Sequence, residues 1–189
     1  MYKPLFPVDT HYVLGIPINY HPGAFGFKRR KNYHTGVDIY VEEGTLAYPC
    51  EEGKVVKVEQ FTGGEESPWW NETWAVMVEG QGGVINYGEL KKPDVKVGDV
   101  VCPFAPIGEI HNVIFPHRAR PDIPGHSIYM LHFELYGHGA REFAHWHHEG
   151  GVIKRDPLLR DPFPYLLQCQ GFPLRKLVCW DNPDNVEVG

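Results

Sequence analysis

Apolar and polar positions alternate in short runs along this chain, and most runs end at a glycine or proline. The clearest run is Ile128–Tyr136. On an extended strand Tyr129, Leu131, Phe133 and Leu135 share one face, and Ile128, Met130, His132, Glu134 and Tyr136 share the other. The first set predicts the core side and so places His132 opposite it. Comparable β-rich runs at Val37–Val41, Gly53–Glu59, Trp74–Glu79 and Val84–Tyr87 predict further strands, with Gly63-Gly64 and Gly82-Gly83 as turns. Val95–Ile107 reads as a strand, a turn at Gly98-Asp99 and a second short strand, punctuated by Pro103 and Pro106. Ala140–Glu149 is a modest helix candidate. Leu158–Gln168 is a second, interrupted by Pro162 and Pro164.

Composition sharpens this picture. The 189 residues include 21 glycines and 17 prolines, and the longest windows free of both, Trp69–Glu79 and His126–Tyr136, are eleven residues long. A typical helix needs about as many, so helices have little room. The expected fold class is all-β, a single compact antiparallel sheet, barrel or sandwich with a short, partly helical C-terminal tail. No long repeat or low-complexity segment interrupts it.

Charge excludes some functions. The net charge is −6, and no basic stripe interleaved with aromatics suggests nucleic acid. The run Lys28-Arg29-Arg30-Lys31 reads as a solvated loop. No segment approaches the ~18 apolar residues of a membrane span. The first residues lack the pattern of a secretory signal. Cys50, Cys102, Cys169 and Cys179 show no CxxC spacing, which speaks against a thiolate metal site, although a Cys169–Cys179 bridge is open.

The candidate chemistry lies in His34, Asp38 and His132. An extended chain would hold His34 and Asp38 about 13 Å apart, too far to share an ion. Gly36 between them permits a bend. With His132 from a distant strand they would form a set of three nitrogen and oxygen ligands. Such a set suits catalytic zinc with a fourth position for water, and in principle Fe(II) or Mn(II).

His34-Thr35-Gly36-Val37-Asp38-Ile39, followed by Gly44-Thr45-Leu46-Ala47-Tyr48-Pro49 and Glu52-Gly53-Lys54-Val55, resembles the opening of the lysostaphin-type (LytM-like) zinc metalloendopeptidases. Lys96–Val101, Pro106-Ile107-Gly108, Leu131-His132-Phe133-Glu134-Leu135 and the Asp156–Leu166 tail resemble later stretches of that family, in the same order. The resemblance implies a β-sheet peptidase domain over residues 28–167 with a zinc groove. Residues 1–27 would be an extension packed on its core, and 168–189 a tail. It implies zinc held by His34, Asp38 and His132, a peptidoglycan or short peptide substrate, and action outside the cytoplasm.

Two positions depart from the family. Its closing His-x-His motif has Met130 in place of the first histidine, and a second family histidine, which follows a tyrosine, is Glu89 in Tyr87-Gly88-Glu89-Leu90. Methionine transfers no proton. A glutamate can act as general base beside a metal, and the lost imidazole donor could be replaced by His126, Tyr129 or Tyr87. The alternative is a catalytically inactive zinc-binding relative serving as a peptidoglycan- or protein-binding scaffold. The remaining features have plainer readings. Trp69, Trp70 and Trp74 serve core packing or groove lining. His145, His147 and His148 are a weak second metal candidate. His111, His117, His126 and His138 sit in loops around the site, and 111–125 reads as an insertion that shapes a groove.

Overall fold

Both faces of the strand that carries His132 are buried, and this decides where the site sits. The computed structural model describes residues 3–30, 32–65 and 67–180; Lys31 of the basic run lies outside them. Its strands are β1 (Val13–Pro17), β2 (Val37–Val41), β3 (Leu46–Ala47), β4 (Gly53–Thr62), β5 (Thr73–Gly80), β6 (Gly83–Leu90), β7 (Val100–Val101), β8 (Gly108–Glu109), β9 (Met130–Tyr136), β10 (Trp146–Glu149), β11 (Val152–Arg155), β12 (Leu159–Arg160) and β13 (Leu177–Val178). One nine-stranded sheet runs β13-β1-β2-β9-β6-β5-β4-β7, with β12 paired to the far end of β9. Its pairings are antiparallel except that β13 lies parallel to β1. The fold is all-β, as the alternation predicts.

The two faces differ in what covers them. Val37, Ile39, Leu131, Phe133, Leu135, Ile85, Tyr87, Val76 and Val78 point to one side and form the main core with the terminal segments. Each such side chain stabilises the fold by roughly 1.5–3 kcal/mol through removal from water. The opposite face carries two smaller clusters. Met77, Val84 and Tyr136 pack under Ala140, Phe143, Ala144 and Trp146 at one end. Tyr40 and Met130 pack with Val113, Trp70 and Ile114 at the other. The polar residues of this face lie between the two.

Four expectations need correction. Ala140–Glu149 is not helical. Trp146–Glu149 pairs with Val152–Arg155 as a hairpin, because Gly150 and Gly151 take φ of 57° and 81° and supply a two-residue turn closed to most other residues. Leu158–Gln168 begins with β12 and holds only one helical turn, α1 (Phe163–Leu166), after Pro162. Val95–Val97 forms no strand, leaving β7 as the edge. Cys169 does not bridge to Cys179; it packs in the main core beside Cys50 and donates toward Tyr165 O at 3.6 Å. Among the described residues no helix is long and apolar enough to cross a membrane.

Candidate metal centre

Strand register brings two of the three candidate ligands together. Asp38 of β2 stands directly opposite His132 of β9, so both side chains leave the same face at the same level. His34 precedes β2 and is fixed by backbone bonds: Gly26 N donates to His34 O and His34 N to Phe27 O, each at 2.9 Å. Gly36 lies at a bend, as expected, and it is needed for a second reason. Its φ is not left-handed, and a Cβ there would lie 2.6 Å from Phe133 O and 3.0 Å from His132 Cε1. The glycine is needed for close approach, which lets the His34 segment cross β9 beside the ligand strand.

Three donor atoms converge as a result. His34 Nε2 lies 3.2 Å from Asp38 Oδ1, His132 Nδ1 lies 2.8 Å from the same oxygen, and the two ring nitrogens are 3.2 Å apart. Among the described residues this is the one group of histidine, cysteine or carboxylate side chains placed to hold a metal ion. Ligands at the usual zinc distances of 2.0–2.1 Å stand about 3.3 Å from one another in a tetrahedron, so the triangle has the right size. The tautomers also fit. His34 Nδ1–H donates to Ala24 O at 3.0 Å, which leaves Nε2 as the lone-pair nitrogen. His132 Nε2–H donates to Glu134 Oε1 at 3.0 Å, which turns Nδ1 to the centre.

Electrostatics follows from burial and this pairing. Desolvation drives His34 down to about 4, so it is neutral at pH 7. Burial would lower His132 too, but the Glu134 and Asp38 carboxylates outweigh it and raise His132 to about 10. Burial would raise Asp38, yet the two histidines hold it well below the usual carboxylate range. Without a metal, one proton on His132 joins the cluster.

Glu134 is the residue that pattern reading passed over. Against the effect of burial, His132 holds it down to about 2. Asn86 Nδ2 and Tyr136 Oη both donate to its Oε2 at 2.7 Å. Its place two residues from His132 on the same strand face was the available signal.

Glu89 reaches this face through a bulge. Gly88 and Glu89 together oppose Ala75, and the ladder is regular again at Trp74–Leu90. Tyr87 and Leu90 both enter the main core, so Glu89, with a φ of 65°, points to the face of Gly88, the partner of His132. Glu89 is buried, and its Oε2 accepts from Thr62 Oγ1 at 2.9 Å and Thr73 Oγ1 at 2.6 Å. Burial raises its carboxyl to about 7 against the pull of these hydroxyls.

The other candidates divide cleanly. Met130 shares the face of His132 but lies in the Tyr40–Val113 apolar cluster. Tyr87 is on the core side, where Cys50 N donates to its hydroxyl at 2.8 Å, and Tyr129 packs against the same core. His126 lies on the ligand side, its ring 5.1 Å from that of Tyr40. Phe61 lies over His132 with ring centroids 5.3 Å apart. Trp70 joins the Tyr40 cluster, whereas Trp69 is exposed. His145, His147 and His148 do not converge; His148 pairs with Tyr33 Oη at 2.6 Å. His117 stacks on Phe115 and His138 pairs with Glu79. Ser127 Oγ donates to Val41 O at 3.0 Å. Lys28 and Arg30 are solvated as expected, but Arg29 turns inward to Asp38.

No family model matches the chain, and neither does any curated protein. Among solved structures it is similar to a zinc-containing peptidase from Vibrio cholerae, with 22% identity, a TM-score of 0.47, and coverage of 70% of this chain and 36% of that one. It is also similar to a protein from Pseudomonas aeruginosa provisionally described as a peptidase M23, with 19% identity, a TM-score of 0.43, and coverage of 90% of this chain and 56% of that one. The chain thus spans about a third and just over half of these two proteins.

Proposed function

We propose that this chain is a zinc metallopeptidase-like hydrolase acting on peptides of bacterial cell walls. The observation that carries the reading is the triangle of His34 Nε2, Asp38 Oδ1 and His132 Nδ1, with both histidine tautomers set by outside acceptors. The motif order supports the substrate class. A bound zinc would supply Lewis acidity toward the scissile carbonyl and lower the pKa of water to about 7. The chain's residues would supply the rest. His34 and His132 are oriented by Ala24 O and Glu134. Glu89, a buried carboxylate of this face that neither belongs to the ligand set nor orients a ligand, takes a proton from the attacking water and passes it to the leaving amine. A carboxyl raised to about 7 can do both near neutral pH.

The test is hydrolysis of cell-wall peptides and purified sacculi by the full chain, with and without chelator. Zinc-dependent cleavage is the expected result. One observation favours a second reading, the binding scaffold: Met130, at the family's histidine position, is sealed into an apolar cluster. Tight retention on sacculi with no cleavage in either condition would establish that reading instead.

A further inference from the structure

We propose that Arg29 is the oxyanion donor of this site, its guanidinium hydrogen-bonding the scissile carbonyl oxygen of a peptide as that oxygen gains charge. The inference rests on the peptidase reading and names a residue which that reading lacks. Its neighbours Lys28 and Arg30 are exposed, but the Arg29 side chain keeps only 28% of its surface. Nη2 lies 3.8 Å from Asp38 Oδ2, close enough for an ion pair and too long for a hydrogen bond. The other carboxylate oxygen, Oδ1, faces the two ring nitrogens. The guanidinium therefore stands at the edge of the ligand set without displacing a ligand atom.

Its side chain also makes no hydrogen bond among the described residues. Nε is shut off from solvent and has no partner. A buried donor without an acceptor is costly, a cost that a turn of the guanidinium toward an incoming oxygen would relieve. The position is built rather than accidental: Arg29 N donates to Asn32 O at 2.8 Å, and Lys28 pairs with Tyr33, so a tight loop delivers the side chain immediately before His34. Three nearby alternatives are occupied or misplaced. Met130 has none to give, Tyr87 is on the core side, and His21 is committed to Gly23 N and Pro124 O. Among the described residues Arg29 is the one lysine or arginine paired with a ligand side chain. A guanidinium stays charged at any working pH and offers five N–H groups in a planar fork. No bond to Arg29 forms or breaks. The water oxygen adds to the carbonyl carbon, the C–N bond breaks, and the proton travels by Glu89.

The experiment uses the zinc-loaded full chain and its Arg29→Gln and Arg29→Lys variants. Three quantities are measured: zinc content, hydrolysis of a cell-wall peptide, and affinity for a phosphinate pseudodipeptide of alanine and glycine, whose oxygens mimic the oxyanion. We expect unchanged zinc, a fall in kcat of ~100-fold or more for Arg29→Gln with little change in KM, and weaker phosphinate binding. Arg29→Lys should fall between, and guanidinium ion at millimolar concentration should restore part of the Gln variant's rate. In the wild type, the Arg29 Nε–H resonance should move on phosphinate binding, a readout that no folding defect can obscure. An unmoved resonance overturns the proposal, as do wild-type kcat and phosphinate affinity in Arg29→Gln. Loss of zinc in both variants also overturns it, since Arg29 would then only steady Asp38. A wild type that neither cleaves nor binds phosphinate sinks the peptidase reading and this inference together. Cleavage by wild type and Gln variant alike sinks the inference alone.

Discussion

Replacing Glu89 with glutamine tests the strangest group in the sheet. Burial raises its carboxyl from 4.5 to about 7. At about 1.4 kcal/mol per unit, that shift is worth roughly 3 kcal/mol. For an acid whose folded value is raised, the folded state holds the proton more tightly than the unfolded chain. The stabilisation is complete below pH 4.5 and is lost as pH rises through 7. Glutamine keeps the shape and can still accept from Thr62 and Thr73, but it does not titrate. The assay is urea unfolding of metal-free protein at several pH values between 4 and 8. The difference between wild type and Glu89→Gln cancels the shared contributions of Asp38, His132 and Glu134. The variant should gain on the wild type by up to about 3 kcal/mol across that window. Parallel curves would refute the claim that Glu89 is a buried acid of raised pKa. With zinc restored, the same variant should keep its metal and lose ~100-fold or more in peptide hydrolysis; equal, chelator-insensitive rates would remove Glu89 from the mechanism.

Further outcomes follow from the same geometry. Purified protein should carry about one zinc per chain, and His132→Ala or Asp38→Ala should lose most of it; elemental analysis showing full occupancy in both would contradict the ligand set. Glu134→Gln should weaken zinc about 10–100-fold, because His132 loses its charged acceptor; competition with a chromophoric chelator would expose an unchanged affinity. His126 is lowered to about 4 by burial, so the protein should lose stability as pH falls from 6.5 toward 4, and His126→Gln should soften that loss. Equal slopes of unfolding midpoint against pH in the two proteins would count against it. Met130→His should raise a low hydrolysis rate if the surrounding groove can seat an imidazole, and kinetics on the same peptide will show whether it does.

Strand alternation was legible wherever one face met the main core. The Leu131, Phe133 and Leu135 stripe marks β9 because large apolar side chains at every second position can be buried together in no other local structure. The ligand set was legible only through motif resemblance, since spacing alone puts His34 and Asp38 far apart, and the contact that brings His132 to Asp38 is a strand pairing across 94 residues. The cover over the Met77–Tyr136 end of the second face could not be read. It comes from the 140–146 segment, which has helix-like composition and is held by a hairpin turn. Arg29 was hidden for a similar reason: a cation in a basic run is ordinarily solvated, and only the loop geometry turns this one inward. Glu134 stood in the pattern, but its role depends on which ring nitrogen of His132 faces inward.

The bulge at Gly88–Glu89 behaves like a frameshift within a strand. Before it, odd-numbered residues such as Ile85 and Tyr87 face the main core; after it, the even-numbered Leu90 does. The extra residue, not a substitution, lets Gly88 and Glu89 both face the ligand side between core-facing Tyr87 and Leu90. A deletion at Gly88 would restore plain alternation and seat Glu89 directly opposite His132, with Leu90 still in the core. The parity of a strand is thus heritable information of its own, and column-by-column comparison of residue types does not record it.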